Sequence, residues 1–302
     1  MHSSLARRKR FSFCPVGYYL YHVPGRDGYA GVMEDWQYKV YAAKHCISAQ
    51  GFVIGLWRKV VREFFTPGVN FRRRKLENFL RTAFERDFNL LEQAAYERDP
   101  KIVPQVFELS ENIFSAEQFY DRALLTLNNI YNSFIDNGIY LALLKTPMLD
   151  FRNGDLVWQW QLGGVIFSNA PDLVWKENNS LQIVDMNSYM FQQDRRRAAM
   201  LYRVYVRRFM NIAPEMVSVN FFDPLSGEWQ TDEDGEWEDF GSVFHKLAGE
   251  AAMWRDYLVM QYRDAAQGIW HYARKDNCSK CKFKNICPAI SGTPQPECCS
   301  MQ

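Results

Sequence analysis

Two sets of side chains in this sequence could do chemistry, and the first is a group of cysteines near its end. The stretch CSKCKFKNICP, positions 278–288, spaces three cysteines as C-x2-C-x5-C. Zinc ions and iron–sulfur clusters are commonly held by four thiolates. The chain has 7 cysteines, an odd number, which favours a metal site in a reducing compartment over a set of disulfides. Spacing alone leaves the fourth ligand open among Cys14, Cys46, Cys298 and Cys299.

The second set is a pair of aspartates in NAPDLVWKENNSLQIVDMNSY, positions 169–189. Two short apolar runs flank a polar turn, which predicts a β-hairpin. A turn centred on Asn178–Asn179 places Asp172 opposite Asp185 on one face of the hairpin. Facing carboxylates lie roughly 5 Å apart at Cβ and repel unless a cation joins them, so this pair is a candidate site for a hard divalent metal. A turn centred on one residue would instead place Asp172 opposite Val184 and remove the site.

The elements that must position these residues can be read from hydrophobic periodicity. Positions 70–145 show helical spacing, with a capping box at Ser115 and Gln118 and an apolar stripe. After Pro147 the period changes to two, which predicts strands in LVWQWQL, GGVIF, PDLVW and LQIVDM. A helix from about Gln193 to Met210, a strand near MVSVNFF and a helix through FHKLAGEAAMWRDYLVMQY follow. The order predicts an α/β fold with a central mixed sheet flanked by helices. The predicted stripe consists of Phe119, Ala123, Leu127, Tyr131 and Phe134.

Charge is segregated along the chain although the net charge is only +1. Basic residues concentrate between Arg58 and Arg86, at Arg195–Arg197 and at Arg207–Arg208. Each cluster alone could be a solvated helix face, but several together favour a groove for a polyanion. No run of 18 apolar residues appears and the N-terminus lacks an apolar signal core, so we expect a soluble cytoplasmic protein.

The stretch FSFCPVGYYLYHV, together with the C-terminal cysteines, resembles RecB-type nuclease domains of the PD-(D/E)XK superfamily. Its iron–sulfur members, which include AddB-like and CRISPR-associated exonucleases, join one N-terminal cysteine to a C-terminal C-x2-C-x5-C. The resemblance implies a [4Fe–4S] cluster on Cys14, Cys278, Cys281 and Cys287 that staples the two chain ends together. It also implies one nuclease-like domain over 1–302, with a helical region (58–145), a sheet core (147–240) and a cluster-binding segment (278–288).

The nuclease motifs of this family are matched only in part. Pro171, Asp172 and Asp185 match, but Asn187 stands where the family has a lysine that helps to activate water on a metal-bound substrate. GLWRKVVRE keeps Gly55 and Glu63 but has Lys59 at the histidine position, and AAMLY keeps Tyr202 but has Ala198 at the glutamine position. The resemblance therefore implies a degenerate set of catalytic residues, in which the two aspartates would hold Mg²⁺ or Mn²⁺. The set consists of Asp172, Asp185, Asn187, Glu63 and Tyr202.

The function expected from these residues is an iron–sulfur, nuclease-like protein with an inactive or impaired nuclease site. It would bind nucleic acid, DNA in preference, or a protein partner in nucleic-acid processing. The alternative is an active Mg²⁺- or Mn²⁺-dependent DNA exo- or endonuclease, in which Lys59, Lys176 or an arginine of DRRRAAM supplies the missing cation. A purely structural subunit whose basic faces meet an acidic partner is a third hypothesis. The residues assigned to nucleic-acid contacts are Arg72, Arg73, Arg74, Lys75, Arg195, Arg196 and Arg197.

Overall fold

Helices make up the N-terminal half of the chain as described by a computed structural model. The residues described are 2–3, 13–22, 35–66, 75–145, 158–162, 165–177, 179–187, 192–232, 275–287 and parts of 245–264. The first eight α-helices described are α1 (Pro15–His22), α2 (Asp35–His45), α3 (Ala49–Phe65), α4 (Leu76–Glu92), α5 (Ala95–Arg98), α6 (Phe107–Ser110), α7 (Ala116–Ile135) and α8 (Gly138–Lys145). The helical character predicted for positions 70–145 is confirmed over the part that the structure describes, 75–145.

Helix α7 begins with the predicted capping box, in which Ser115 and Gln118 each accept a hydrogen bond from the other's backbone N–H. The predicted stripe on this helix is buried at four of its five positions. Its remaining member, Tyr131, is only partly buried, and the neighbouring Ile130 takes the buried position. Helical periodicity therefore predicted the buried face of α7 correctly except at one position, where Ile130 is buried instead of Tyr131.

Among the described residues, seven strands form two sheets: β1 (His2–Ser3), β2 (Trp158–Leu162), β3 (Val165–Asn169), β4 (Leu173–Glu177), β5 (Ser180–Asp185), β6 (Val217–Phe222) and β7 (Trp229–Thr231). The smaller sheet has the order β1-β3-β2 and the larger one β4-β5-β6-β7. In the larger sheet β4 is antiparallel to β5, β5 is parallel to β6, and β7 is antiparallel to β6. This is the mixed sheet that the sequence predicted.

The crossover between the parallel strands β5 and β6 contains α9 (Gln192–Tyr205), which runs into a π-helical turn, Val206–Met210. Short 3-10 turns lie at Pro214–Met216, Lys275–Lys280 and Lys284–Ile286. The residues described between 245 and 264 are helical, as predicted. No helix among the described residues is both long and apolar enough to cross a membrane.

Both faces of the larger sheet are covered. Leu173 and Val184 belong to the same hydrophobic core as Trp57 of α3, whereas Val174 and Ile183 pack into a second core with residues of α9. Successive residues of a strand point to opposite faces, so a strand buried on both sides becomes an almost continuous apolar run. The sheet is therefore the middle layer between a helical layer that contains α3 and a second layer formed by α9.

Candidate functional site

The β4–β5 hairpin has the predicted register. Leu173 pairs with Val184 and Val174 with Ile183, and Asn179 in the turn has a positive φ of 68°. Asp172 immediately precedes β4 and its N–H donates to the carbonyl of Val184 at 2.8 Å, while Asp185 is the last residue of β5. Both carboxyl groups therefore lie at the same end of the hairpin. Both residues are 0% exposed, so their charges have no compensation from water.

The positive charge at this pair comes from two arginines of α3. Arg58 donates through Nε to Asp172 Oδ1 at 2.9 Å, and Nη2 of Arg62 lies 2.6 Å from the same oxygen. The other oxygen of Asp172 accepts from the backbone N–H of Met186 at 2.6 Å. The arginines are four positions apart, so both project from one side of α3 toward the end of the hairpin.

Asp185 is held by the hairpin itself and by α9. Its Oδ1 accepts from the backbone N–H of Asn187 at 3.0 Å and from Nδ2 of the same residue at 2.5 Å. Its Oδ2 accepts from the hydroxyl of Tyr202 at 2.7 Å. Arg58 closes the network, because its Nη1 donates to Oδ1 of Asn187 at 2.5 Å. A chain of hydrogen bonds thus connects α3, the hairpin and α9.

This network supplies a protein donor to each of the four carboxylate oxygens. Burial by itself would lower the pKa of Arg58, but the charge and hydrogen bond of Asp172, with the charge of Asp185, raise it overall. Arg58 therefore stays protonated. Among the residues that the structure describes, no three His, Cys, Asp or Glu side chains are grouped so as to hold a metal ion. A divalent cation approaching the aspartates would meet two guanidinium charges already in place.

Glu63, the remaining member of the predicted catalytic set, and the departing motif positions Lys59 and Ala198 lie in different surroundings. Nζ of Lys59 is 3.8 Å from Oδ2 of Asp87 in α4. The hydrogen bond from Arg86 to Asp87 and, to a smaller extent, the charge of Glu63, one turn after Lys59 on α3, raise the pKa of Arg86. Ala198, at the position of the family's glutamine, is buried in the core beneath α9. The structure thus brings Asp172, Asp185, Asn187 and Tyr202 together.

The basic residues assigned to nucleic acid are described only in part. Arg72, Arg73 and Arg74 lie outside the described residues. Lys75 and Arg196 are exposed, and Arg195 and Arg197 are partly buried. Lys176, one of the alternative sources of positive charge, is also exposed.

Arg58 and Arg62 are the site residues that sequence reasoning missed. The family motif points to Lys59 and Glu63, each one position further along α3. The facing carboxylates had already indicated that a cation was needed nearby. Two arginines four residues apart, beside a strongly apolar helix face, were a signal from which Arg58 and Arg62 could have been found.

The cysteines of the resemblance lie where the two ends of the chain pack together. Cys14 and Cys287 are buried in one hydrophobic core, against which Cys281 packs, and the N–H of Cys281 donates to the carbonyl of Cys278 at 3.1 Å. The described cysteines are free thiols. Thiols suit an iron–sulfur cluster in ligand type, and these come from two segments that pack together, but no three of the described cysteines lie close enough together to form a metal site as they stand.

Burial raises the pKa of the Cys281 thiol, and the nearby Cys14 and Cys278 raise it further, although a hydrogen bond from the backbone of Phe283 acts in the opposite direction. Ligation requires the thiolate, so a bound cluster would have to supply the free energy of deprotonation.

Other contacts fasten the same two ends independently of any metal. Nδ2 of Asn277 donates to the carbonyl of Phe13 at 2.5 Å, and Nε1 of Trp36 donates to the carbonyl of Ile286 at 3.2 Å. Nζ of Lys282 donates to the carbonyls of Lys44, at 2.5 Å, and Cys46, at 3.1 Å. Lys282 thereby places a positive charge at the C-terminal end of α2, where helix carbonyls lack partners within the helix.

We expect Lys282→Met to lower the free energy of unfolding of the metal-free protein by about 1–3 kcal/mol, because it removes hydrogen bonds from a charged group. Urea unfolding measures the change. Lys176→Met, at an exposed lysine of β4, is the matched control and should have little effect. Equal stability of the Lys282 variant and the unmodified protein would show that this lysine does not fasten the chain ends.

Comparison with known proteins finds no matching family model, no matching curated protein and no matching solved structure.

Proposed function

We propose that this chain is an iron–sulfur, nuclease-like protein that binds nucleic acid, DNA in preference, and whose carboxylate site cuts poorly or not at all. The observation that carries the proposal is the pair of guanidinium groups on Asp172. In a metal-dependent nuclease the acids hold a divalent ion that polarises the phosphate and activates water. Here the positive charge beside the acids comes from arginine side chains.

Support for the nuclease-like part comes from which segments meet at the aspartates. The helix with Gly55, the hairpin with Pro171 and Asp172, and the helix with Tyr202 carry the three partly matched motifs. The structure brings residues of all three segments into one hydrogen-bonded network. Because of the departures at Lys59, Asn187 and Ala198, the network contains none of the family's histidine, lysine and glutamine, which favours impaired chemistry.

Support for nucleic-acid binding comes from charge. The basic stretch that ends at the exposed Lys75, and the exposed Arg196 on α9, offer cations that a polyanion could neutralise. An exposed arginine or lysine that contacts a phosphate releases a counterion from the nucleic acid, so the binding would be strongly salt-dependent.

Binding to a labelled DNA duplex is therefore expected to weaken as salt is raised, with a slope near −0.9 per phosphate contacted in a plot of log K against log salt. Changing Arg72, Arg73 and Arg74 together to Glu should flatten that slope, because fewer phosphates are then neutralised by the protein. Fluorescence anisotropy at several salt concentrations measures both quantities.

The matched control changes three exposed cations outside the predicted groove, Lys39, Lys101 and Arg122, to Glu, which alters the net charge by the same amount. An equal flattening of the slope in both triple variants would assign the binding to overall charge. Absence of salt-dependent binding in the unmodified protein would overturn the proposal. The same samples incubated with Mg²⁺ or Mn²⁺ report cutting, and efficient cutting that disappears in Asp172→Asn would establish the active nuclease instead.

A further inference from the structure

Three aromatic rings form a row from the core beside α9 to the surface. Trp158 of β2 is buried and stacks on Tyr205, with ring centroids 4.6 Å apart and planes 14° apart. Tyr205 contacts Phe209 at 4.8 Å with an interplanar angle of 36°. Phe209 is 51% exposed although it is large and apolar. The row therefore ends in a ring that is supported from behind and open to solvent.

The π-helical turn Val206–Met210 holds the outer end of this row. Such turns are rare and are frequent at functional sites. In this protein the turn contains Phe209 and directly follows Tyr205, and the rings of these two residues are in contact. Asn211 follows with a positive φ of 53° and ends the helix directly after the exposed ring. The backbone conformation at this helix end therefore fixes the position from which the side chain of Phe209 projects.

Two arginines accompany the exposed ring. Arg207 and Arg208 are exposed, and the guanidinium of Arg208 lies 5.6 Å from the ring centroid of Phe209. Neither arginine has a carboxylate partner among the residues that the structure describes. An isolated exposed apolar side chain needs no explanation. An aromatic ring at the end of a stacked row and beside two exposed arginines is a different arrangement, because it combines a stacking surface with phosphate-binding charge.

We infer that Phe209, Arg207 and Arg208 form a binding platform for single-stranded nucleic acid, an inference that rests on the nucleic-acid binding proposed above. An unpaired base would stack on Phe209, and the adjacent phosphates would contact the arginines. Bases within a duplex are stacked on each other and cannot offer a face to the ring, so the platform selects unpaired strands. Charge argues against an apolar protein surface as the occupant, since Arg207 and Arg208 would be buried there without partners.

Phe209→Ala is expected to weaken binding of a labelled oligo-dT about 5- to 150-fold, the contribution of one base–aromatic stack. Phe209→Leu should weaken it similarly, because leucine keeps an apolar side chain but has no flat ring, whereas Phe209→Trp should retain binding. Arg207→Gln with Arg208→Gln should reduce the salt slope by roughly 0.7 for each phosphate that the arginines no longer neutralise. An oligo-U titration in parallel shows whether RNA is bound through the same ring.

Leu141→Ala removes another exposed apolar side chain, 55% exposed on α8, and should leave binding unchanged. Duplex binding by the Phe209 variants should also be unchanged. Weaker oligo-dT binding in the alanine variant but not in the leucine variant would point to apolar docking and overturn the stacking platform. Unchanged binding in both variants would overturn the platform alone. An unmodified protein that binds neither single strands nor duplex would overturn the proposed function as well.

Discussion

Protein purified without oxygen is expected to be brown and to contain about four iron atoms per chain, and Cys281→Ser is expected to abolish both properties. The reason lies in the position of Cys281. Its thiol packs against the core that holds Cys14 and Cys287, and it is close enough to Cys14 and Cys278 for their charges to raise its pKa. Iron analysis and the visible spectrum measure the outcome.

The same variant is expected to be much less stable. A cluster that binds only the folded chain contributes its binding free energy to folding, and structural metal sites contribute about 10–16 kcal/mol by this route in small zinc domains. The contacts of Lys282, Asn277 and Trp36 still connect the chain ends in the variant, so we expect it to fold. Because it lacks the binding free energy of the cluster, its thermal midpoint should be lower and it should tend to aggregate. Thermal unfolding followed by circular dichroism measures the change.

Three further variants identify the fourth ligand. Cys14→Ser should lose iron as Cys281→Ser does, while Cys46→Ser should keep it. Cys46 is a demanding control because its carbonyl accepts from Lys282, so it lies beside the cysteine segment without belonging to the expected set. A joint change of Cys298 and Cys299 to Ser should also leave iron in place. Stoichiometric zinc without iron in protein produced anaerobically with ample iron would contradict the cluster. Release of that zinc in the Cys298/Cys299 variant would assign the fourth ligand to the C-terminal pair.

The parts of this structure that the sequence predicted correctly depend on short-range patterns. The register of β4 and β5 follows from one short polar turn between two apolar runs. The start of α7 follows from two side chains, Ser115 and Gln118, that hydrogen-bond within one turn. In both cases the residues that decide the geometry are neighbours in sequence.

The parts that sequence reasoning missed depend on how elements pack over long separations. Arg58 meets Asp172 across 114 positions, and which side of α3 faces the hairpin is set by the apolar residues that α3 buries against the other helices. A rotation of α3 by one residue would direct Lys59 and Glu63 to the aspartates instead. The row of rings that ends at Phe209 was missed for the same reason, because Trp158 lies on a strand far from α9 in sequence. The packing of Cys14 into one core with Cys287 was expected only from the resemblance, since local spacing supplied three ligands.

Asn187→Lys, which restores the family's lysine, is expected to destabilise the protein while Arg58 is present. Asn187 accepts from Arg58 and donates to Asp185, each at 2.5 Å. A lysine can replace the donation but cannot accept, and it would place an ammonium against the guanidinium of Arg58. Arg58→Met alone should also destabilise, because it removes one of two cations from a carboxylate with no exposure. Leaving a buried charge unpaired costs about 3–5 kcal/mol, and the remaining Arg62 should reduce that cost.

Combining Arg58→Met with Asn187→Lys should recover stability, because the new ammonium takes over the position of the removed guanidinium. In urea unfolding the two changes should therefore couple favourably by about 0.5–3 kcal/mol. The double variant is also a better repair of catalysis than Lys59→His, which would restore the family's histidine. Lys59 faces Asp87, so a histidine at that position would not reach the aspartates. Any trace Mg²⁺-dependent cleavage should rise by about 10²- to 10⁴-fold, the usual contribution of a positioned proton donor or acceptor.

The matched control pairs Arg62→Met with Asn187→Lys. Arg62 binds the same oxygen of Asp172, but Asn187 accepts its hydrogen bond from Arg58, so this pair should show much weaker coupling. Additive effects in the Arg58 pair would show that Arg58 and Asn187 do not interact as the structure places them. Faster cleavage in the unmodified protein than in the double variant would show that the arginines belong to a working catalytic site. Arg58 itself would then provide the positive charge that the family takes from lysine.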